Sequence, residues 1–450
     1  MTTRTETMAQ ATPLSAEDAQ ILALERGTIR GHTLKVLILA DSPGPSVVAD
    51  LVAEIGERLA DAPRWRQRLV PDPQVPSGLS WRDDPAFRVR DHIRAVADEE
   101  TVDDRALRDI VARSMTTPLD LSRPLWTMEV VPRLTGGRWA LIWKAHHCLA
   151  DGMAMMVAGS RLLWRQQEPP PRHPHRNPDG SRRPVSAAVH RQLRAGARLT
   201  AVAGQWGLPL REFRRTRPLS PLAADVGPER DVAFASFALA ELHDTGKAID
   251  PGVTVNDVLL AVIAGALRRW LLDHGAPATG MKAEVPVSMH PDPGSGAPAG
   301  NRDSFLLVGL PMAEADPIAR VRAVSARTGR RKSQHDAQTI YALRQSLSRA
   351  PVAVRRPLQR LIQSPHEYSL NISNVPGPAS PIYVLGHRAT ALYSIAEIAP
   401  RHALRIAAVS LAGTMFVGLC ADPGVIPDLG ALADGIEASL AEVRASLPAG

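Results

Sequence analysis

The sequence predicts an α/β or α+β fold built in two halves, and three observations carry that expectation. Helix-period stretches and alternating strands are interleaved along the chain. Its 450 residues, 44% of them hydrophobic, exceed what a single core usually organises and rule out wholesale disorder. Six prolines within Glu168–Pro184 break the pattern near the middle, where no regular element can persist. The expected organisation is a first half at 1–167, a Pro/Arg-rich crossover at 168–225 and a second half at 226–450.

Taken in order, Leu34–Ala40 is a buried strand and Ser46–Leu59 an amphipathic helix. Leu125–Leu134 and Arg138–His147 form a β-hairpin closed by Thr135-Gly136-Gly137. Met153–Trp164 is apolar all round, which predicts a buried helix. Within the crossover, Val185–Arg217 resumes helical spacing on a very basic background. The second half opens near Val232. Val255–Leu271 is a helix with Thr254 as its N-cap. Glu284–Ser288 and Asp303–Leu310 are strands, and Pro317–Lys332 and Asp336–Arg349 are helices. Pro381–Leu385, Leu404–Leu411 and Met415–Cys420 make a strand-rich end, which Asp428–Leu447 closes as an amphipathic helix.

Composition removes several function classes. Two cysteines, Cys148 and Cys420, cannot build a disulfide framework or a four-thiolate zinc site, and they suggest a reducing, cytoplasmic compartment. Met1–Arg30 lacks the apolar core of a secretory signal. The apolar run Val258–Leu267 is shorter than the roughly 20 residues a membrane helix needs. Ile406–Ala421 is interrupted by Ser410, Gly413 and Thr414, which suits two strands and a turn. Any membrane contact is therefore expected to be peripheral. The net charge of +7 is unevenly distributed. Residues 171–217 carry eleven arginines against Asp179 and Glu212, and 318–360 carry eleven basic residues against Asp336, leaving the rest of the chain acidic. Nucleic acid is not an expected partner, because aromatics are only 4% of residues and no basic platform is interleaved with them.

The chemistry concentrates in His146-His147-Cys148-Leu149-Ala150-Asp151-Gly152, between the second hairpin strand and the buried helix. Side chains on a strand alternate faces. His147 shares its face with Ala145, Trp143, Leu141 and Trp139, so it is expected in an apolar interior, where a neutral imidazole can act as a general base. His146 shares the more polar face of Lys144 and Arg138. Asp151 stands where the helix dipole and free amides stabilise a carboxylate, and Gly152 gives the strand-to-helix turn its backbone freedom. No metal is expected, since adjacent strand histidines diverge and no further ligand lies at metal-binding spacing. Cys148 is poorly placed for activation by its sequence neighbour and is taken as packing.

The His-His-x-x-x-Asp-Gly string resembles the signature of the acyl-CoA-dependent acyltransferase superfamily, which includes chloramphenicol-acetyltransferase-like folds and the condensation domains of peptide synthetases. Further strings are similar to those of the bacterial wax ester synthase/diacylglycerol acyltransferase family. They are Pro124-Leu125-Trp126, Asn256-Asp257, Val285-Pro286-Val287-Ser288, Gly300-Asn301-Arg302 and Ser373-Asn374-Val375-Pro376-Gly377-Pro378. Leu14-Ser15, Asp18-Ala19 and His32 are similar to the family's opening segment, so the resemblance runs from about residue 13 to 445.

That resemblance implies two chloramphenicol-acetyltransferase-like halves with a substrate tunnel at their interface. It implies His147 as general base in the catalytic motif, with His146 and Asp151 supporting it and Gly152, Asn256 and Asp257 bracing the motif. Pro124, Leu125 and Trp126 would line the acyl tunnel, and Arg302 is a candidate partner of Asp151. It further implies transfer of a long fatty acyl group from acyl-CoA, as co-substrate and without any other cofactor, to diacylglycerol to form triacylglycerol. The acceptor oxygen would attack the thioester directly, with no covalent enzyme intermediate. A long-chain alcohol giving wax ester is the alternative within the family, and a secondary-metabolite acyl or condensation-type transferase is the alternative outside it. A non-catalytic lipid-surface protein is a third class, against which the intact His147 and Asp151 argue. The basic, partly apolar 185–217 segment suits peripheral contact with an anionic membrane or lipid droplet from the cytoplasmic side. Two departures from the family pattern fall in the second half. His290 stands near a usual arginine, and Pro400–Arg405 replaces a stretch that commonly carries Gly and a Leu-Asn pair.

Overall fold

The computed structural model describes residues 11–166, 220–288, 303–333 and 368–448. The expected helices Val185–Arg217 and Asp336–Arg349, and the candidate Arg302, lie outside these described residues. In the first half the order is β1 (Thr12–Pro13), α1 (Ala16–Leu24), β2 (His32–Leu39), α2 (Val47–Arg58), β3 (Gln67–Pro71), β4 (Leu79–Asp83), β5 (Ile93–Ala95), α3 (Asp104–Thr116), β6 (Trp126–Leu134), β7 (Arg138–His146), α4 (Gly152–Leu162) and β8 (Arg165–Gln166). The second half follows with β9 (Asp231–Ala238), α5 (Leu239–Ile249), α6 (Val255–Asp273), β10 (Lys282–Ser288), β11 (Asp303–Gly309) and α7 (Pro317–Ser333). It ends with β12 (Leu370–Val375), β13 (Ile382–Val384), β14 (His387–Ala396), β15 (Leu404–Leu411), β16 (Thr414–Ala421) and α8 (Leu429–Ala445).

Local chemistry accounts for the best-defined ends. Gly136 and Gly137 take positive φ, 77° and 68°, in the turn joining β6 and β7. Ala412 and Gly413 do the same, at 46° and 87°, in the tight turn between β15 and β16, where positive φ matches the twist of the strands. The Thr254 hydroxyl accepts from the Asp257 amide at 3.3 Å, and the Asp257 carboxylate accepts from the Thr254 amide at 3.0 Å, closing a capping box at the start of α6.

A seven-stranded sheet runs in the order β5-β6-β7-β2-β14-β13-β8, and a six-stranded sheet in the order β11-β10-β12-β15-β16-β9. β1, β4 and β3 form a small separate sheet. Although β13 and β14 come late in the sequence, they belong to the sheet of the first half. β14 pairs antiparallel with β2, Leu392 opposite Leu37. β2 is buried along its whole length and needs a ladder partner on each side; β7 fills one side and β14 the other.

The six-stranded sheet buries one face, including Ile372, Ile406, Ala408 and Val417, against α6, α7 and α8. Its opposite face, including Val409, Phe416, Cys420 and Val232, joins the hydrophobic core of the first half. Phe234 on β9 stacks on Tyr393 of β14 with ring centroids 4.1 Å apart. A Cβ at Gly418 of β16 would collide with the Ser394 carbonyl, so glycine permits this close approach of the two sheets. Among the described residues, no helix is long and apolar enough to cross a membrane.

Candidate active site

β7 delivers the motif. Trp139, Leu141, Trp143 and Ala145 are fully buried, and the strand ends at His146 rather than continuing to His147. A turn follows, in which the amides of Leu149 and Ala150 donate to the His146 carbonyl at 2.9 and 3.4 Å. Asp151 is the N-cap of α4, with its Oδ1 accepting from the Ala154 amide at 2.7 Å. Gly152 does not use the backbone freedom expected of it. It does not take positive φ, and a Cβ there would stand 3.0 Å from Val375 Cγ2. Val375 belongs to the Ser373–Pro378 string, so this contact joins two sequence motifs across the halves.

The expectation that His147, rather than His146 on the more polar face, is the histidine delivered into the interior is corrected by the structure, in which His147 is the half-buried one. His146 is 0% exposed. Its neighbour on that face, Lys144, is also buried, and its Nζ donates to the Ser114 and Thr117 carbonyls, both at 2.9 Å, at the C-terminal end of α3. The end of a helix leaves such carbonyls free, which is why a lysine can be buried there. The His146 ring is fixed in one tautomer. Its Nδ1 accepts from the Cys148 amide at 3.1 Å, so Nε2 carries the proton, and Nε2 lies 3.4 Å from Glu25 Oε2.

His147 begins the turn, with its main-chain N–H donating to the Gly31 carbonyl at 2.8 Å. Burial, then the Arg405 guanidinium, push its pKa down to about 3, against a hydrogen bond from the ring to the residue's own main-chain oxygen. The surroundings are thus more cationic than the apolar interior expected from the strand pattern, because Arg405 and Lys35 come from distant parts of the chain. Lys35 on β2 is 0% exposed and its Nζ donates to Ser394 Oγ at 2.8 Å. Burial lowers its pKa to about 8, opposed by the Asp151 carboxylate.

The second half contributes a polar row across neighbouring strands, Glu284 on β10, Asn371 on β12 and Arg405 on β15. Asn371 Nδ2 donates to Glu284 Oε2 at 3.2 Å, and Arg405 Nη1 donates to the Glu397 carbonyl at 3.0 Å. Arg405 lies in the segment Pro400–Arg405 where the sequence departs from the family pattern.

The other expected residues take distinct places. Asp257 closes the capping box of α6 and its Oδ1 accepts from Thr328 Oγ1 at 2.6 Å, so it braces α6 against α7. Asn256 Oδ1 accepts from Asn374 Nδ2 at 3.5 Å. Pro124 and Leu125 are buried, and the Leu125 carbonyl accepts from the His146 amide at 3.0 Å. Trp126 packs within the first core, its Nε1 donating to the Trp65 carbonyl at 2.6 Å and its ring stacked on His92 at 4.6 Å. Cys148 is buried beside Leu14, Trp81 and Leu125, and burial pushes its thiol well above the usual range, which suits packing and not nucleophilic attack. Sequence reasoning missed Glu25, Lys35 and Arg405. A lysine inside the apolar run Leu34–Ala40 was a signal for Lys35; Glu25 had none.

Comparison with known proteins adds independent findings. The sequence pattern of the wax ester synthase/diacylglycerol acyltransferase catalytic domain matches residues 14–259, and that of the corresponding C-terminal domain matches 299–444. A Mycobacterium tuberculosis protein named as a diacylglycerol O-acyltransferase is 30% identical, over 96% of this chain and 89% of its own length. A similarly named Mycobacterium bovis protein is 29% identical over 91% of this chain and 90% of its own. The solved wax ester synthase/diacylglycerol acyltransferase from Marinobacter aquaeolei superposes with a TM-score of 0.71 at 24% identity, covering 97% of this chain and 100% of that one. A condensation domain of the CDA synthetase superposes with a TM-score of 0.60 at 16% identity, covering 98% of each chain.

Proposed function

Because the chain belongs to the wax ester synthase/diacylglycerol acyltransferase family, we propose that it moves a long fatty acyl group from acyl-CoA to the free hydroxyl of diacylglycerol, with His147 as the base. Membership itself makes the chain an acyl-CoA-dependent O-acyltransferase. The observation that carries the finer reading is His147, held neutral in a capped turn within electrostatic reach of charge from the second half. A base whose pKa is pushed down to about 3 cannot strip an alcohol of its proton beforehand. Proton transfer to the His147 imidazole therefore accompanies attack of the hydroxyl oxygen on the thioester carbonyl. Collapse of the tetrahedral intermediate breaks the C–S bond, and the imidazolium returns its proton to the departing thiolate. A thioester is already activated, so positioning plus one base suffices, and the inert Cys148 supports direct transfer without an acyl-enzyme.

Relatives named as diacylglycerol O-acyltransferases support diacylglycerol as acceptor, while the double name of the Marinobacter enzyme makes a fatty alcohol the second reading. The test mixes protein, palmitoyl-CoA and diolein, and follows release of free thiol and formation of triacylglycerol. His147→Ala is expected to cost on the order of 10²–10⁴ in rate. Thiol release that survives this change overturns His147 as base, and a panel with hexadecanol in place of diolein decides the acceptor.

Peripheral contact with anionic membrane or lipid droplets from the cytoplasmic side belongs to the same proposal, supported by the arginines and apolar residues of 185–217. Binding to phosphatidylserine-containing vesicles is expected to weaken with salt and to be lost when those arginines become glutamine. Equal binding to neutral vesicles would contradict it.

A further inference from the structure

His146 is completely buried, yet its ring has one polar hydrogen to place. Nδ1 is occupied by the Cys148 amide at 3.1 Å, so the proton sits on Nε2. His32, edge-on with its centroid 6.2 Å away, gives its own Nδ1 to the Met115 carbonyl at 3.1 Å and makes no hydrogen bond to His146. Among the described residues, the carboxylate oxygen that Nε2 meets is Glu25 Oε2 at 3.4 Å, a polar contact outside hydrogen-bond geometry, and neither atom has a hydrogen-bond partner. Glu25 is placed by the end of α1, where it is the C-cap and its amide donates to the Leu22 carbonyl at 3.2 Å. Gly31 closes the other side. It has φ +66°, and a Cβ there would stand 2.8 Å from His146 Nε2. The same Gly31 accepts the His147 amide at 2.8 Å, and the His146 carbonyl accepts the amides that form the motif turn.

We propose that Glu25 is a positioning residue for acyl transfer, its carboxylate facing Nε2 of His146 and holding that ring electrostatically, so that the His146 ring fixes both Gly31 and the turn that presents His147. Glu25 itself touches no reacting atom. A carboxylate in this place sets the angle of a buried ring, and the ring sets the backbone from which the base projects. Small misplacement of a reacting group is costly to rate and need not weaken binding.

The inference rests on His147 as the base, so thiol release by the parent and His147→Ala proteins is measured first, and its failure would count against that reading alone. Glu25→Leu is then expected to lower kcat by on the order of tenfold to a hundredfold, with KM for palmitoyl-CoA within about twofold of the parent. Glu25→Gln keeps an oxygen acceptor and is expected to recover most of that loss. In a His146→Leu background, Glu25→Leu should cost almost nothing more, since the two act as one unit. Where Glu25→Leu yields no folded protein, Glu25→Ser takes its place under the same criteria. A parental kcat in the leucine or serine variant, equal impairment in Glu25→Gln, or losses that simply add in the double variant would each overturn the proposal.

Discussion

At the scale of single residues, the site is governed by charges that the chain places far from one another in sequence. The His147 imidazole is pushed down to about 3 first by burial and then by Arg405. Removing a positive neighbour stabilises the imidazolium, so Arg405→Gln should raise the His147 pKa from about 3 toward its ordinary 6.5. The acid limb of kcat/KM against pH is expected to move upward in the variant. A limb at or below the parent's position would show that the guanidinium does not act on the proposed base.

At the scale of elements, the motif is a strand end, a turn and a capped helix, each with its own physical cause. Asp151 acts in this local frame as the N-cap of α4, accepting the Ala154 amide at 2.7 Å. Asp151→Ala should therefore lower stability by about 1 kcal/mol from the cap alone, and Asp151→Asn, which retains an acceptor oxygen, should lose clearly less. Urea unfolding of the two variants distinguishes them, and equal losses would place the effect in the charge rather than in the cap. α3 serves the motif from the other side of the sheet, because its last carbonyls give Lys144 a place to end inside the protein. Burial still lowers the Lys144 pKa to about 8, with Glu129 opposing.

At the scale of the whole molecule, buried histidines link folding to pH. His32 and His147 are pushed from 6.5 down to about 3, and His92 and His402 are lowered in the same direction, in each case chiefly by burial. For His402, burial prevails over the hydrogen bond to the Pro400 carbonyl, which favours the charged ring. Between about 3 and 6.5 the unfolded chain binds more protons than the folded one, so stability falls as pH drops through that window and is fully present above 6.5. Urea midpoints measured across the window should decline with acidification. A midpoint that stays constant between pH 6.5 and about 4 would mean that these histidines are not buried in their neutral form.

Much of this architecture is legible in the residues themselves. The β6–β7 hairpin follows from strand alternation on either side of Gly136-Gly137, and the α6 cap follows from Thr254 ahead of an apolar run. The motif string, and the order of the strings around it, point to the acyltransferase family that the comparison bears out. These features are local: periodicity, turn chemistry and capping act within a few residues, and a sequence displays them directly.

Tertiary structure alone decides the rest. β14 completes the first sheet from the far end of the chain, and Lys35 meets Ser394 across 359 positions. Arg405 comes within electrostatic reach of His147, and Glu25 comes to lie beside His146. No spacing rule predicts such pairs, because they form only once strands and helices distant in sequence have come together and excluded water. The sequence by itself pointed to His147 as the proposed base. Packing decided what charges surround it, since the strength of an electrostatic interaction depends on distances and burial that exist only in the folded chain.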